Sequence, residues 1–155
     1  MDEEARGQIP KEEQERADIQ SRAEKFVKDH AGYYDQEELE RWTSKYQSLS
    51  SDEQQRERDS IMGRLEKSVD EGKYGEMGLE FAMLAQAGID FDIPTRLSYV
   101  NRVLVRDIFR FDQHNSERRR QEPYSESIHG NMLNRLGELQ VGLGLANKLH
   151  VLTSK

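Results

Sequence analysis

The chain of 155 residues has no cysteine and only three prolines. Without cysteine it can form no disulfide, and it offers no thiolate nucleophile, zinc knuckle or iron–sulfur ligand. It also has no apolar run of about 18 residues, so we expect no membrane-spanning helix. The first four residues include three acids and no apolar stretch follows them, which predicts that there is no signal peptide and that the protein is cytoplasmic.

The chain also lacks the short motifs that mark common enzyme classes. The patterns GxGxxG, GxxxxGK(S/T) and GxSxG are absent, which argues against a nucleotide site and an activated serine. No pair of carboxylates stands in an apolar context that would raise a carboxyl pKa for acid–base catalysis. We therefore predict a protein that is not an enzyme and that holds no cofactor.

A helical metal site is an alternative that the sequence leaves open. Glu126 and His129 have the Glu-x-x-His spacing of di-metal carboxylate bundles, but such bundles need two of these units and the chain has one. Asp112 and His114 could lie near them. Because charged residues that flank a loop are usually solvated, we predict no metal ligand here.

Charge and apolar residues are distributed unevenly along the chain. Charged residues make up 34% of it, and the net charge is −7. Apolar residues number 19 among the first 72 positions and 34 among the last 83, so the second half should form most of the core. Residues 1–71 carry a net charge of −8, whereas residues 96–120 carry +4. The predicted organisation is a flexible acidic N-terminus over 1–15 and a single helical domain over 16–155, with charged helices in 16–72 and apolar core-forming helices in 74–150.

Apolar residues recur every three or four positions through most of the chain, which predicts helices. The connections are short and no pair of strands is evident, so the predicted fold is all-α, a compact bundle of about six helices. Asp35 and Asp92 should cap two helices, and Ser51 with Gln54 resembles a capping box. A long apolar helix near 95–112 should lie at the centre, followed by a polar loop at 115–125. Its apolar residues are Leu97, Val100, Val103, Leu104, Val105, Ile108, Phe109 and Phe111.

The last helix, expected over about 127–149, carries a glycine at every seventh position. Gly130, Gly137 and Gly144 would form a bare strip that another helix could approach closely. Packing inside one chain and pairing of two copies as a homodimer both explain such a strip. The alternation of glycine with apolar residues within 140–145 would also suit a strand. The residues predicted to face inward are Ile128, Met132, Leu136, Leu139, Leu143 and Ala146.

A group of aromatic and acidic residues surrounds the start of the second helix and is the predicted partner-binding surface. Tyrosine and tryptophan are favoured as anchors in protein interfaces, and acidic residues steer a protein toward basic partners. The helical spacing of Trp42 and Tyr46 also fits a purely structural role, in which they dock the helix onto the core. The predicted surface consists of Tyr33, Tyr34, Glu37, Glu38, Glu40 and Trp42.

Arginines recur every four residues along one edge of the long helix. This arginine edge consists of Arg102, Arg106 and Arg110, and Arg118, Arg119 and Arg120 follow in the predicted loop. The edge could contact the phosphates of a nucleic acid. Alternatively it pairs with acidic residues of the first three helices, because arginine binds carboxylates well. We favour the second interpretation, since the net negative charge repels a polyanion.

These features favour a non-enzymatic protein–protein interaction module. It would be an acidic adaptor, an inhibitor, an immunity-type protein or a secretion-chaperone-like protein. The expected partner is another protein with a basic surface, bound through the charged N-terminal helices. The alternatives are a nucleic-acid-binding regulator that uses the arginines and, less favoured, a helical-bundle metal protein or enzyme.

Overall fold

The computed structural model describes residues 11–74, 77–119 and 126–153, including all their side chains except those of 113–119, 126–131 and 153. Within these ranges the chain forms six α-helices and no strand, which confirms the predicted all-α bundle. The helices are α1 (Lys11–Ala31), α2 (Gln36–Gln47), α3 (Ser51–Asp70), α4 (Met77–Gln86), α5 (Ile93–Arg119) and α6 (Glu126–Thr153).

Side chains at the helix starts and glycines at the helix ends define the boundaries. Asp35 caps α2, because its Oδ1 accepts a hydrogen bond of 2.9 Å from the Glu37 amide. The capping box of α3 is formed by Ser50 and Glu53, one residue before the predicted pair, and these hydrogen bonds hold the pKa of Glu53 below its ordinary value. Gly72 and Gly88 follow α3 and α4 with φ angles of 66° and 90°, a region that favours glycine.

The core lies where α4 and α5 meet the other helices. Helix α5 packs against α1, α3 and α6, and α4 packs against α1, α2 and α3. Both halves of the chain supply core residues, and the larger share of the fully buried side chains lies in α4 and α5. The largest fully buried residues are Ile61, Leu65 and Val69 of α3, Met77, Glu80 and Leu84 of α4, and Leu97, Val100, Val103 and Leu104 of α5.

Several predicted boundaries and orientations are corrected. Helix α1 begins at Lys11, directly after Pro10, and so starts within the segment predicted as a flexible N-terminus. Helix α5 extends to Arg119 instead of ending before 115, since arginine and glutamate sustain a helix well. Residues 140–145 are helical and not a strand. Phe109, predicted to widen the apolar face of α5, is 61% exposed.

Asp92 begins α5 as the sequence predicts, and its cap should make stability depend on acid pH. Its Oδ1 accepts a hydrogen bond of 2.9 Å from the Thr95 amide, and this contact lowers the pKa of Asp92 below its ordinary value. A lowered pKa means that the ionised cap stabilises the fold above about pH 4 and loses this effect as the pH falls through the lowered pKa. We expect the urea midpoint of the wild type to exceed that of Asp92→Asn at pH 7 and to approach it near pH 2. A difference that stays constant over this range would contradict the prediction.

Candidate interaction surface

The connection between α1 and α2, residues 32–35, is held tightly against α4. We call it the tyrosine turn. Helix α1 ends as the Gly32 amide donates to the Lys28 carbonyl at 3.1 Å. On α4, a Cβ atom added to Gly78 would lie only 2.6 Å from the Tyr33 carbonyl oxygen. The missing side chain at Gly78 therefore lets the backbone of the turn lie directly on α4.

Although the backbone of the tyrosine turn is fixed, its two aromatic side chains reach solvent. Tyr33 is 69% exposed and Tyr34 is 43% exposed. A large apolar side chain on a fixed backbone loses little conformational entropy when it becomes buried in an interface. The prediction that these residues are available to a partner is thus compatible with their positions, although their binding role stays a prediction.

The acidic residues that follow the turn are exposed on the first turns of α2. Glu37, Glu38 and Glu40 all face solvent. Gln36 donates weakly to Glu40, at 3.5 Å, and among the described residues none of the three acids forms an ion pair. Their charge is therefore not neutralised within this part of the chain and remains available to an external cation.

A half-open cavity of about 430 Å³ adjoins the turn, and sequence analysis did not anticipate it. Tyr34 lines it together with apolar residues from α2, α4 and α5. Arg96 also lines it and is held in place, because its Nη2 lies 3.0 Å from Asp90 Oδ1 and its guanidinium stands 5.5 Å from the centre of the Phe81 ring. No spacing rule could have found this cavity, since its walls come from four separate segments. The apolar wall residues include Val27, Ala31, Leu39, Phe81, Ala82 and Ile93.

Trp42, the remaining residue of the predicted surface, points toward α3. Its ring stacks on Tyr46 with centroids 4.9 Å apart, and its Nε1 donates to Glu57 at 2.9 Å. Tyr46 is buried, and its hydroxyl accepts from Arg58 at 2.6 Å. These contacts fasten α2 to α3, so the structural interpretation of Trp42 accounts for its position.

The arginine edge of α5 is partly occupied by contacts within the chain. Arg102 donates to Glu66 at 3.2 Å, and Glu66 also accepts from the Tyr99 hydroxyl at 3.2 Å. Burial, assisted by the Glu66 carboxylate, raises the pKa of Tyr99, so this hydroxyl stays protonated and donating. Arg110 donates to Asp107 at 2.9 Å and to the Glu71 carbonyl at 3.0 Å. Among the described residues, the expected ion pair with an acidic helix therefore exists for Arg102 alone, because Arg110 pairs with Asp107 of its own helix and reaches only a backbone carbonyl at the end of α3.

Arg106 differs from its neighbours on the edge. It is exposed, and within the described ranges it forms no ion pair. It lies beside the exposed Phe109, and both residues line two adjoining open cavities of about 390 and 510 Å³. Arg118 and Arg119 are in α5 but their side chains are outside the described set, and Arg120 lies outside the described residues.

Several ionisable side chains contact one another where α1, α5, α6 and the α3–α4 connection meet. His30 Nδ1 lies 2.8 Å from the Phe26 carbonyl oxygen, and its Nε2 lies 3.5 Å from Glu138 Oε2. Burial and the nearby carboxylates raise the pKa of Tyr74 well above its ordinary range. Arg135 bridges to Asp107 at 3.1 Å. These contacts explain the group as part of the helix packing.

Three of the four residues of the metal alternative, His114, Glu126 and His129, have side chains outside the described set. Among the side chains that the structure describes, no three histidine or carboxylate groups converge on a common point. Among the described helices none combines the length and the apolarity of a membrane crossing. Comparison with known proteins finds no matching family model, no similar curated protein and no similar solved structure.

Proposed function

We propose that this chain is a non-enzymatic protein–protein interaction module that binds a basic protein through the tyrosine turn and the start of α2. The observation that carries the proposal is the combination of Tyr33, 69% exposed on a fixed backbone, with a neighbouring apolar cavity and three unneutralised carboxylates. We call this set, Tyr33, Tyr34, Glu37, Glu38, Glu40 and the cavity, the acidic tyrosine surface.

The tyrosines and the cavity of this surface contribute differently to binding than its carboxylates do. Most of the affinity of an interface comes from a few large side chains that become fully buried, and tyrosine is among the most frequent of them. The adjoining cavity, of about 430 Å³, has room for an apolar side chain of the partner. The exposed carboxylates add long-range attraction to a basic surface, which raises the association rate more than the affinity.

The proposed class is an acidic adaptor, inhibitor, immunity-type or secretion-chaperone-like protein. All of these act by covering a surface of another protein and need no reactive group of their own. We place the encounter in the cytoplasm, because a chain without cysteine needs no oxidising compartment to fold.

Reversing the charge of the acidic tyrosine surface should strongly weaken capture of the partner. In Glu37→Lys/Glu38→Lys/Glu40→Lys, the steering field is inverted and the partner meets like charge, so we expect the recovery of a basic protein to fall at least about tenfold. The measurement is affinity capture from native cells with quantitative mass spectrometry. It is followed by calorimetric titration of the purified partner that the wild type retains.

The matched control reverses three acids at the far end of α1. Glu12→Lys/Glu13→Lys/Glu15→Lys changes the net charge equally, but these residues lie about 27 Å along α1 from the tyrosine turn. Capture should survive in this control and should fall in Tyr33→Ala/Tyr34→Ala. Equal loss in both charge variants would mean that overall acidity, and not this surface, selects the partner. Retention in the α2 variant would refute the proposal.

Binding of nucleic acid by the arginine edge is a second candidate function. The position of Arg106 beside the exposed Phe109 favours it, because an arginine next to an exposed aromatic ring can hold a phosphate and stack a base. The internal contacts of Arg102 and Arg110 weaken it. A gel shift with labelled single-stranded DNA and RNA tests this candidate function. It requires a complex that forms at low salt and dissociates as the salt concentration rises.

A further inference from the structure

Helix α6 carries apolar residues on opposite sides, and among the described residues only one side is buried in the core. On the inner face Leu145 and Leu149 are buried, and Gly142 lies against Asn101 of α5 and Phe26 of α1. Leu136 and Leu143, which the sequence led us to place inward, are instead about half exposed. That prediction was wrong because α6 has apolar residues nearly all round, and its buried side is centred on Gly142, Leu145 and Leu149, roughly a third of a turn from Leu136 and Leu143. A second row of residues lies opposite the buried side.

The second row follows the alternating four- and three-residue steps of a coiled-coil contact. We call it the outer seam, and it consists of Leu133, Gly137, Gln140, Gly144, Asn147 and Val151. Leu136, Leu143 and Val141 flank it. The five large apolar residues of this face are each 45–53% exposed. A helix with apolar residues on opposite faces is normally buried on both, so the outer seam lacks a partner within the described chain.

The glycines of the outer seam have no use inside the monomer. A Cβ atom added to Gly137 or Gly144 would meet nothing within 4 Å. Each glycine in a helix interior destabilises the helix relative to alanine, and the equally open Gly63 of α3 shows that a single bare position need not serve a contact. Gly137 and Gly144 differ from Gly63 because they lie one heptad apart among exposed apolar residues, where their bare surface leaves space for the backbone of a second helix.

The outer seam is uncharged from Leu133 to Gly144, in a chain where a third of the residues carry charge. At its C-terminal end the exposed Lys148 lies beside it, and Asn147 and Val151 line a cavity of about 380 Å³ together with Glu15, Asp18 and Arg22 of α1. Between Leu133 and Asn147 the ionisable residues of α6 are Arg135 and Glu138, and they contact Asp107 and His30 on the sides facing α5 and α1. A basic partner would gain nothing here and would be drawn to the acidic helices instead. Two copies, each with a net charge of −7, avoid repulsion best by meeting through their uncharged face.

We propose that the outer seam of α6 binds the outer seam of a second copy of this chain, with the two helices antiparallel. Gly137 and Gly144 lie symmetrically about the point between Gln140 and Val141, so an antiparallel pair centred there places each Gly137 opposite the other copy's Gly144. A two-fold axis at this point makes the contact self-complementary. In this register Gln140 lies next to its counterpart at the two-fold axis, and a pair of uncharged amides there would specify the register, as polar residues do in coiled-coil seams.

Other occupants fit the outer seam less well. The segments of the chain outside the described residues contain few apolar side chains: 1–10 has Met1, Ala5 and Ile9, and 120–125 has Tyr124 alone. They cannot match a face with five large apolar residues. The proposal is independent of the acidic tyrosine surface, which involves α2 and the end of α1.

Sedimentation equilibrium of the purified chain tests the proposal. A single-helix contact lies at the small end of dimer interfaces, so we expect the mass to rise from 18.1 kDa toward twice that value between about 1 μM and about 500 μM. In Gly144→Glu, a charged side chain enters the contact, and the dissociation constant should increase at least about tenfold. Gly63→Glu is the matched control, because Gly63 is also an exposed helical glycine with open space, on α3. It should leave the dissociation constant unchanged.

Single cysteines report the orientation, since the natural chain contains none. Under mild oxidation Gln140→Cys should form a disulfide-linked dimer, because position 140 lies next to its counterpart at the two-fold axis. Val151→Cys should not, since antiparallel helices hold these positions far apart. A wild type that stays at 18.1 kDa at about 500 μM overturns the proposal, as does equal weakening by Gly144→Glu and Gly63→Glu. Cross-linking through Val151→Cys but not Gln140→Cys overturns the antiparallel pairing.

Discussion

Replacing Leu97 by alanine is expected to lower the free energy of unfolding by about 2–5 kcal/mol. Leu97 is completely buried in α5, the helix that packs against α1, α3 and α6. The loss combines the transfer free energy of the removed methyl groups with the cost of the cavity that the surrounding helices cannot close. Since a domain of this size is stable by about 5–15 kcal/mol in total, the change is large.

Urea denaturation at low protein concentration measures this effect without a contribution from self-association. Phe109→Ala is the control on the same helix, because Phe109 is 61% exposed and its truncation should change the free energy of unfolding by less than about 0.5 kcal/mol. Similar losses in the two variants would contradict the orientation of α5.

Gly78→Ala should destabilise the fold by about 1–3 kcal/mol and also weaken partner binding. The new Cβ atom would lie 2.6 Å from the Tyr33 carbonyl oxygen and 3.0 Å from the Tyr33 amide nitrogen. Both are backbone atoms, so the contact cannot be relieved by a change of rotamer. The tyrosine turn must move away from α4, and Tyr33 and Tyr34 move with it.

The comparison variant for Gly78→Ala is Gly63→Ala. Gly63 is a helical glycine with nothing within 4 Å of an added Cβ, so alanine should stabilise α3 by about 0.5–1 kcal/mol through helix propensity alone. Thermal melts should therefore give a higher midpoint for Gly63→Ala and a lower midpoint for Gly78→Ala than for the wild type. In titrations with the partner, the affinity should fall only for Gly78→Ala. Stabilisation by Gly78→Ala would show that the turn does not rest on α4.

The fold class could be predicted because it depends on local spacing. The three- and four-residue repeats and the caps at Asp35 and Asp92 are properties of neighbouring residues, and all of them are confirmed. Leu136 and Leu143 were placed on the wrong face for a physical reason. Helix α6 has apolar residues nearly all round, and spacing alone does not say which side of such a helix faces its own chain.

The candidate site could be predicted only in part. The exposed tyrosines and acids lie in one short segment, so composition and order could point to them. The cavity beside Tyr34 depends on contacts among α1, α2, α4 and α5, which have no signature in a single segment. The ion pair of Arg102 likewise depends on Glu66, which lies on α3, whereas the pair of Arg110 with Asp107 follows from three-residue spacing within α5.

The burial of α4 has a consequence for how the domain is divided. Seven of its ten residues are covered, including the acidic Glu80, yet a helix of this length is not stable in water on its own. It therefore exists only because α1, α2 and α3 surround it, while α5 closes the same core from the other side. Although the two halves of the chain differ in polarity, we therefore expect neither half to fold as an autonomous unit.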